Sequence, residues 1–381
     1  MISDDAKALI SQVNKKFGEG AVVVASEMAI PQFFTTGSLT LDVALGGGWP
    51  GNQWSEIYGR ESHGKTALAL RTIAANQERD KNFTAVWVAA EHYDKGQAEA
   101  IGVDNNRVII VPTQDMEFAY QTVLDFVSSK SVDMVVIDSY PALVPSEEAE
   151  KDMDEYSMAT GARLTGKFFR KAGNAMHRAI DGSERPVVGI LINQQRDKIG
   201  AWAPHGQVAQ TTPGGNAKNY AFYSRVEVKR DEFIEAKRAN EERGKVKVGQ
   251  VIKFQTVKNK SAAPQQVARS DFYFRDAPEF GFHRGEFDTV KEVIVMGIVF
   301  GLIQRSGAWF MYGGQRWQGK PAMYQTIKSE PDLYDQLYTD VMEKAKHPET
   351  IHDITEDQID EAENAGQQKL SRRRKSEDEN E

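Results

Sequence analysis

The segment Gly59-Arg60-Glu61-Ser62-His63-Gly64-Lys65-Thr66 has the spacing G-x-x-x-x-G-K-T. In such a loop a Gly-rich backbone wraps a phosphate, and a lysine and a hydroxyl stand beside it. The apolar "WSEIY" precedes it and the helix-forming "ALALRTIAA" follows, which is the strand-loop-helix setting the chemistry needs. The N–H groups of Ser62 to Lys65 would hold a β-phosphate, Lys65 would reach the β and γ phosphates, and the Thr66 hydroxyl would ligate Mg²⁺. An accidental turn would explain the two glycines but not the flanking elements.

A second oxygen ligand is expected from a neighbouring strand. Asp138 ends the apolar "MVVID", at the strand end where α/β proteins place ligands. Glu91 follows "TAVWVAA" on the same edge, where a carboxylate can orient a water for attack on the γ-phosphate. Asp in that position also serves as a helix cap, and Glu as an ordinary first-turn acid; beside a phosphate loop the chemical roles are the favoured ones.

These residues need a scaffold. From about residue 50 to 275, short apolar runs alternate with helical patterns: "SEIYG", "TAVWVAA", "RVIIVP", "MVVIDS" and "PVVGILINQ", then "FYSRVEVKR", "QVIKFQTVKNK" and "DFYFRD". That alternation specifies an α/β core with a mostly parallel sheet covered on both faces, the last three strands forming an antiparallel extension. Ahead of it, Ile2, Ala6, Leu9, Ile10, Val13 and Phe17 make a helical stripe capped by Ser3 and stopped by Gly18. Behind it, a helix from Glu286 to Ile303, a hairpin turning at Gly313-Gly314 and a helix from Ala322 to Ala345 specify a small α+β domain. The expected division is 1–33, N-terminal helix and oligomerisation segment; 34–275, core; 276–348, C-terminal domain; and 349–381, a charged tail too poor in apolar residues to order itself.

Composition limits the alternatives. The 381 residues suggest two or three domains at roughly 150 residues each. The absence of Cys excludes disulfides and thiolate zinc sites. The run Val293 to Ile303 is shorter than the roughly 20 residues needed to span a bilayer. With an N-terminus unlike a signal peptide, a cytoplasmic protein without membrane partners is expected. A net charge of -8 argues against polyanion binding over the whole surface, but not against a local basic site.

The order and spacing of "TTGSLTLDVALGGGWP", "SEIYGRESHGKTALAL", "AAEHYD", "VVIDSYPALVP", "LINQQRDKIG", "TPGGNAKNYA" and "VKNKSAAP" resemble the bacterial RecA recombinase family, from about Lys15 to the C-terminal domain. The resemblance implies a RecA-type ATPase core using ATP and Mg²⁺. It implies a homo-oligomeric helical filament on single-stranded DNA that pairs with homologous double-stranded DNA and exchanges strands, alongside single-strand-binding and mediator proteins. It makes Glu91 the catalytic carboxylate, Asp138 the Walker B residue and Gln194 the γ-phosphate sensor, and it sends Lys258 and Lys260, from one strand face, to the nucleotide of a neighbouring subunit. Asp94 and Gln97 match nucleotide-binding positions approximately. The DNA loops align with Glu150 to Met158 and with Gln195 to Thr212, making Met158, Arg163, Arg196, Lys198, Ile199, Gly200, Trp202, Gly214, Gly215 and Asn216 DNA contacts. The second loop carries cations, an apolar wedge and an aromatic on a flexible backbone, which suits exposed phosphates and base faces. His63 stands where the family has Ser, and Asn219-Tyr220 where it has Lys-Phe. The rival readings are a ring-shaped helicase core and an ATP-switched regulatory protein that promotes repressor self-cleavage.

Overall fold

The computed structural model describes residues 2–18, 20–27, 31–150, 160–176, 185–197, 210–237, 244–346 and 355–365. In chain order the main elements are α1 (Asp4–Phe17), α2 (Leu39–Leu45), β1 (Trp54–Gly59), α3 (Lys65–Arg79), β2 (Ala85–Ala89), α4 (Lys95–Ile101), β3 (Val108–Val111) and α5 (Met116–Ser129). They continue with β4 (Met134–Asp138), α6 (Thr160–Met176), β5 (Val188–Gln194), α7 (Gly215–Ala221), β6 (Ser224–Lys237), β7 (Lys245–Lys258) and β8 (Val267–Tyr273). The C-terminal part comprises α8 (Thr289–Val299), β9 (Gln304–Ser306), β10 (Trp309–Tyr312), β11 (Gln315–Gln318), α9 (Lys320–Ser329), α10 (Pro331–Ala345) and α11 (Glu356–Glu363).

Eight strands form one sheet in the order β8-β7-β6-β1-β5-β4-β2-β3. The six from β6 to β3 run parallel, and β7 and β8 extend them antiparallel. Alternation along each strand divides the core in two. Ile57, Trp87, Val136, Ile190 and Ile192 pack on one face with Leu68 and Ile73 of α3. Val86, Val88, Val135, Ile137 and Leu191 pack on the other with α5 and α6. Gly189 is required on that second face, since a Cβ there would lie 2.3 Å from the Trp54 ring. Trp54 in turn meets Phe168 and Phe169 edge-on at 5.3 and 5.6 Å.

The C-terminal unit joins the core through α2, whose Leu39 and Val43 share a cluster with α8, α9 and α10. One buried carboxyl organises that junction: Glu292 of α8 accepts from Ser38 Oγ at 2.9 Å, from Thr40 N at 3.3 Å and from Ser270 Oγ.

Four sequence expectations need correction. The helix expected from Glu286 is confined to Thr289–Val299, because Asp288 caps it by accepting from Lys291 N at 2.8 Å. The helix expected over Ala322 to Ala345 is two, α9 and α10, broken where Pro331 cannot continue the hydrogen-bond ladder. Lys260 does not share a strand face with Lys258, because β7 ends at Lys258 and Asn259 turns the chain by donating to Ala44 O and Leu45 O. Residues 349–381 were expected to be a tail without order, yet α11 lies within them. Thr355 and Gln358 form its capping box, and Ile359, Ala362 and Ala365 are buried. Arg269 pairs with Glu356 at 2.9 Å, Glu363 at 3.3 Å and Asp360, so the acidic residues that argue for disorder in isolation are met by cations of the core.

Burial raises the Glu292 pKa from 4.5 to about 7 against its hydroxyl partners. A folded-state pKa above the unfolded one gives a stabilising contribution that is complete below 4.5 and lost as pH rises through about 7. Glu292→Gln should therefore reduce the drop in stability between about pH 6 and about pH 8 by on the order of 1 kcal/mol. Denaturant titration of both proteins at the two pH values measures this, and an equal drop in both would show that Glu292 is not the titrating group.

Candidate nucleotide site

Gly59 sits at the end of β1, in register with Gln194 of β5 on one side and Val228 of β6 on the other. A Cβ at Gly59 would lie 2.1 Å from Val228 O, so the first loop position must be glycine. Gly64 caps α3 at φ 102°, in the left-handed region glycine favours. Arg60 and Glu61, with Ser62 at φ 58°, carry the turn between them. Lys65 Nζ lies back along this loop and donates to Arg60 O at 2.8 Å. Burial lowers the Lys65 pKa, and the Asp138, Glu91 and Glu61 charges oppose that shift.

Across the loop, Thr66 Oγ1 donates to Asp138 Oδ2 at 3.1 Å. Glu91 N donates to Asp138 O at 3.0 Å, and Ser139 Oγ donates to Glu91 Oε1. Asp138 and Glu91 thus stand together at the ends of adjacent strands. Burial, then the Glu91 charge, pushes the Asp138 pKa up to about 7; Thr66 and Lys65 pull it down. A buried Asp138 carboxylate beside the exposed Glu91 favours a cation. The donors are hard oxygens, and no cluster of three or more metal-ligating side chains occurs among the described residues. Hard oxygen donors fit Mg²⁺, which is held by one or two protein oxygens together with substrate phosphates.

The loop opens into a cleft of about 650 Å³, within the range of small-molecule sites. Ser62, Gly64, Lys65, Thr66, Glu91 and Asp138 line its polar end; Arg230, Phe233, Phe272 and Phe274 line the other. Sequence reading missed that second wall, because β6 and β8 reach it only through strand pairing. Gln97 also lines the cleft, but Asp94 caps α4 by accepting from Gln97 N at 2.9 Å. Tyr93 is turned away, its hydroxyl on Asn105 and its ring against Trp87. His63 is not among the cleft-lining residues. Its Nδ1 is buried without a hydrogen-bond partner among the described residues; burial followed by Arg230 lowers its pKa, against a backbone hydrogen bond with Val228.

Gln194 closes β5 beside Gly59, and Gln195 N donates to Gly59 O at 3.1 Å. From there Arg196–Asp197 pairs with Gln210–Thr211. Arg163 projects from α6, 76% exposed, 3.7 Å from Glu147. Gly214 and Gly215, at φ 103° and 72°, start α7, and a Cβ at Gly215 would touch Ala162. The flanks of both expected DNA loops therefore meet. Met158, Lys198, Ile199, Gly200 and Trp202 lie outside the described residues, as does the Asn216 side chain. Lys258 Nζ donates to Asn219 O at 2.7 Å, and Lys260 lies 5.7 Å from the Tyr223 ring. In the β6–β7 register Phe254 is level with Val228 and hence with Gly59. Lys258 is level with Arg225 and so with Glu56, set back along the sheet from the loop end of β1.

Residues 5–277 match the family profile described as the RecA N-terminal domain, and residues 291–346 the RecA C-terminal domain. The chain is 35% identical to Protein RecA of Chlorobium chlorochromatii over 91% of this chain and 93% of that one. It is 35% identical to Protein RecA of Aquifex aeolicus and 34% identical to that of Staphylococcus aureus, in each case over 90% of this chain and 94% of the relative.

If Asp138 is a metal ligand rather than a cap, Asp138→Asn should leave metal-free nucleotide affinity unchanged or tighter, since it removes a negative charge near phosphates. It should also abolish the strengthening that Mg²⁺ brings. Calorimetric titrations with and without Mg²⁺ separate the two, and a retained Mg²⁺ effect would reject the ligand role.

Proposed function

The chain belongs to the RecA family, and we propose that it acts as an ATP-driven recombinase whose nucleotide site is the cleft at Gly59–Thr66. Its function is DNA recombination and repair. The family is one of DNA-dependent ATPases that bind single- and double-stranded DNA and form filaments.

The observation that carries the site reading is that Lys65, Thr66, Asp138 and Glu91 line one cleft, with Gln194 paired to Gly59 on the neighbouring strand. In this reading Lys65 binds the β and γ phosphates, and Thr66 and Asp138 hold Mg²⁺, which supplies further neutralisation of phosphate charge. Glu91, aimed by Ser139 Oγ, orients the attacking water and takes its proton. Gln194 senses the γ-phosphate and begins the segment that contacts DNA. The match to the RecA C-terminal domain over 291–346 supports a recombinase over a ring helicase core.

Assembly into an open filament is supported by apolar surface left exposed among the described residues. No residue of α1 is buried, and Leu9 and Phe17 are 60% and 68% exposed. Ile109 and Ile110 are exposed on β3, one of the sheet's two edge strands, and Tyr220 is 81% exposed. One heterologous contact repeated from copy to copy would cover these and generate a helix. No helix among the described residues is long and apolar enough to cross a membrane.

Lys65→Ala should lose tight ATP binding together with DNA-stimulated hydrolysis. Glu91→Gln should bind ATP and single-stranded DNA but turn over at least about a hundredfold more slowly, the scale of a lost general base. Steady-state ATPase with and without single-stranded DNA is the measurement; full turnover by Glu91→Gln would remove Glu91 from its role.

If Lys258 and Lys260 act across the junction between subunits, the double variant Lys258→Ala/Lys260→Ala should bind nucleotide but fail to extend into ATP-dependent filaments. Mixing it with Lys65→Ala protein should restore some hydrolysis, because one type of junction then pairs an intact loop with intact lysines. Absence of rescue in mixed assemblies verified by microscopy would place the lysines in cis.

A further inference from the structure

Glu56 lies in the middle of β1 with none of its side chain exposed, and Lys218 of α7 is equally buried. Glu56 Oε1 meets Lys218 Nζ at 2.7 Å, and its Oε2 meets Arg225 Nε at 2.6 Å. Asn193 Nδ2 donates to Glu56 Oε1 at 2.9 Å and to Pro213 O at 3.1 Å. Thr212 Oγ1 accepts from Lys218 Nζ at 2.7 Å and from Arg225 Nη2 at 3.3 Å. Lys218 Nζ completes its bonds on Asn219 Oδ1 at 3.0 Å.

Apolar side chains of similar volume would fill this space at least as stably, because burying two charges consumes most of what their attraction returns. What charges add is direction, through short hydrogen bonds to fixed points. Those points are informative. Glu56 is on the strand that ends in the phosphate loop, Asn193 immediately precedes Gln194, and Thr212–Pro213 closes the segment read above as the second DNA loop.

We propose that Lys218 and Glu56, with Arg225 and Asn193, are positioning residues that clamp the closing end of the DNA loop to the phosphate-loop strand. The loop's return at Thr212–Pro213 and its departure at Gln194 are then held by one rigid unit. A nucleotide contact at Gln194 and a DNA contact on the segment that follows it then act on the same clamp. This inference rests on the reading of that segment as DNA-binding.

The test compares the unsubstituted full-length protein with Glu56→Gln/Lys218→Met, which removes one buried charge of each sign. Thr212→Val and Thr212→Ser complete the set. Thermal melting, DNA-free ATP hydrolysis and the oligo(dT) concentration giving half-maximal ATPase stimulation are measured for each. A clamp predicts that the double variant melts cooperatively and keeps DNA-free hydrolysis within about twofold, while its half-maximal DNA concentration rises roughly tenfold, the scale of a lost hydrogen bond to a charged group. Thr212→Val, lacking the hydroxyl shared by Lys218 and Arg225, should reproduce the DNA shift, and Thr212→Ser should not. A role in stability alone would lower melting and both activities together and leave the half-maximal DNA concentration unmoved; that result overturns the proposal, as does an unchanged DNA response in a folded double variant or in Thr212→Val. No DNA stimulation in the unsubstituted protein overturns the DNA-loop reading itself, before any variant is compared.

Discussion

Gly59 is paired in parallel register with Gln194 on one side and Val228 on the other, and the site hangs from that pairing. The neighbouring strands place Asp138 opposite Ala89, two residues before Glu91, so each polar group leaves the sheet at the same edge. A slip of one residue in any ladder would exchange the faces of that strand. It would turn Asp138 to the other face of β4, or drive a side chain into the Val228 carbonyl. Register is protected by the apolar sorting on each face: Ile57, Val136 and Ile190 cannot change places with Val135, Ile137 and Leu191 without leaving holes in both cores.

The structure also buries charge at several places, each joining parts distant in sequence. Glu292 joins α8 to α2 and β8; Arg269 and Lys291 receive the acidic face of α11, with Lys291 3.0 Å from Glu363. Lys320, whose pKa burial lowers to about 8, donates to Ala362 O and Glu363 O. Such contacts define a geometry more sharply than apolar packing does, at the cost of desolvation. Glu292 and Arg269 place such contacts between the C-terminal unit and the core.

The phosphate loop was legible because its chemistry is contiguous: backbone, Lys65 and Thr66 lie within eight residues. Asp138 and Glu91 were legible because apolar strands announce their own ends. The far wall of the cleft was not, since Arg230, Phe233, Phe272 and Phe274 look like ordinary members of alternating strands until β6 pairs with β1. Nor was α11: Ile359, Ala362 and Ala365 are sparse among acids, and what orders them is Arg269, nearly a hundred residues earlier. Pro331 was a different case. The break it causes was written in the sequence, and the helical periodicity on both sides hid it.

The strand order has a consequence for how the molecule is made. β1 emerges early, yet its only neighbours in the sheet are β5 and β6, which begin at Val188 and Ser224. Until those segments leave the ribosome, Trp54–Gly59 has no hydrogen-bonding partner on either edge, and its apolar side chains have only half a core. Parallel sheets built from distant segments fold slowly and leave unpaired edges open to association in the meantime. The nascent chain therefore passes through a long stage in which its phosphate loop is already synthesised but unsupported. Nucleotide can first assist folding only when the second half of the core has been translated.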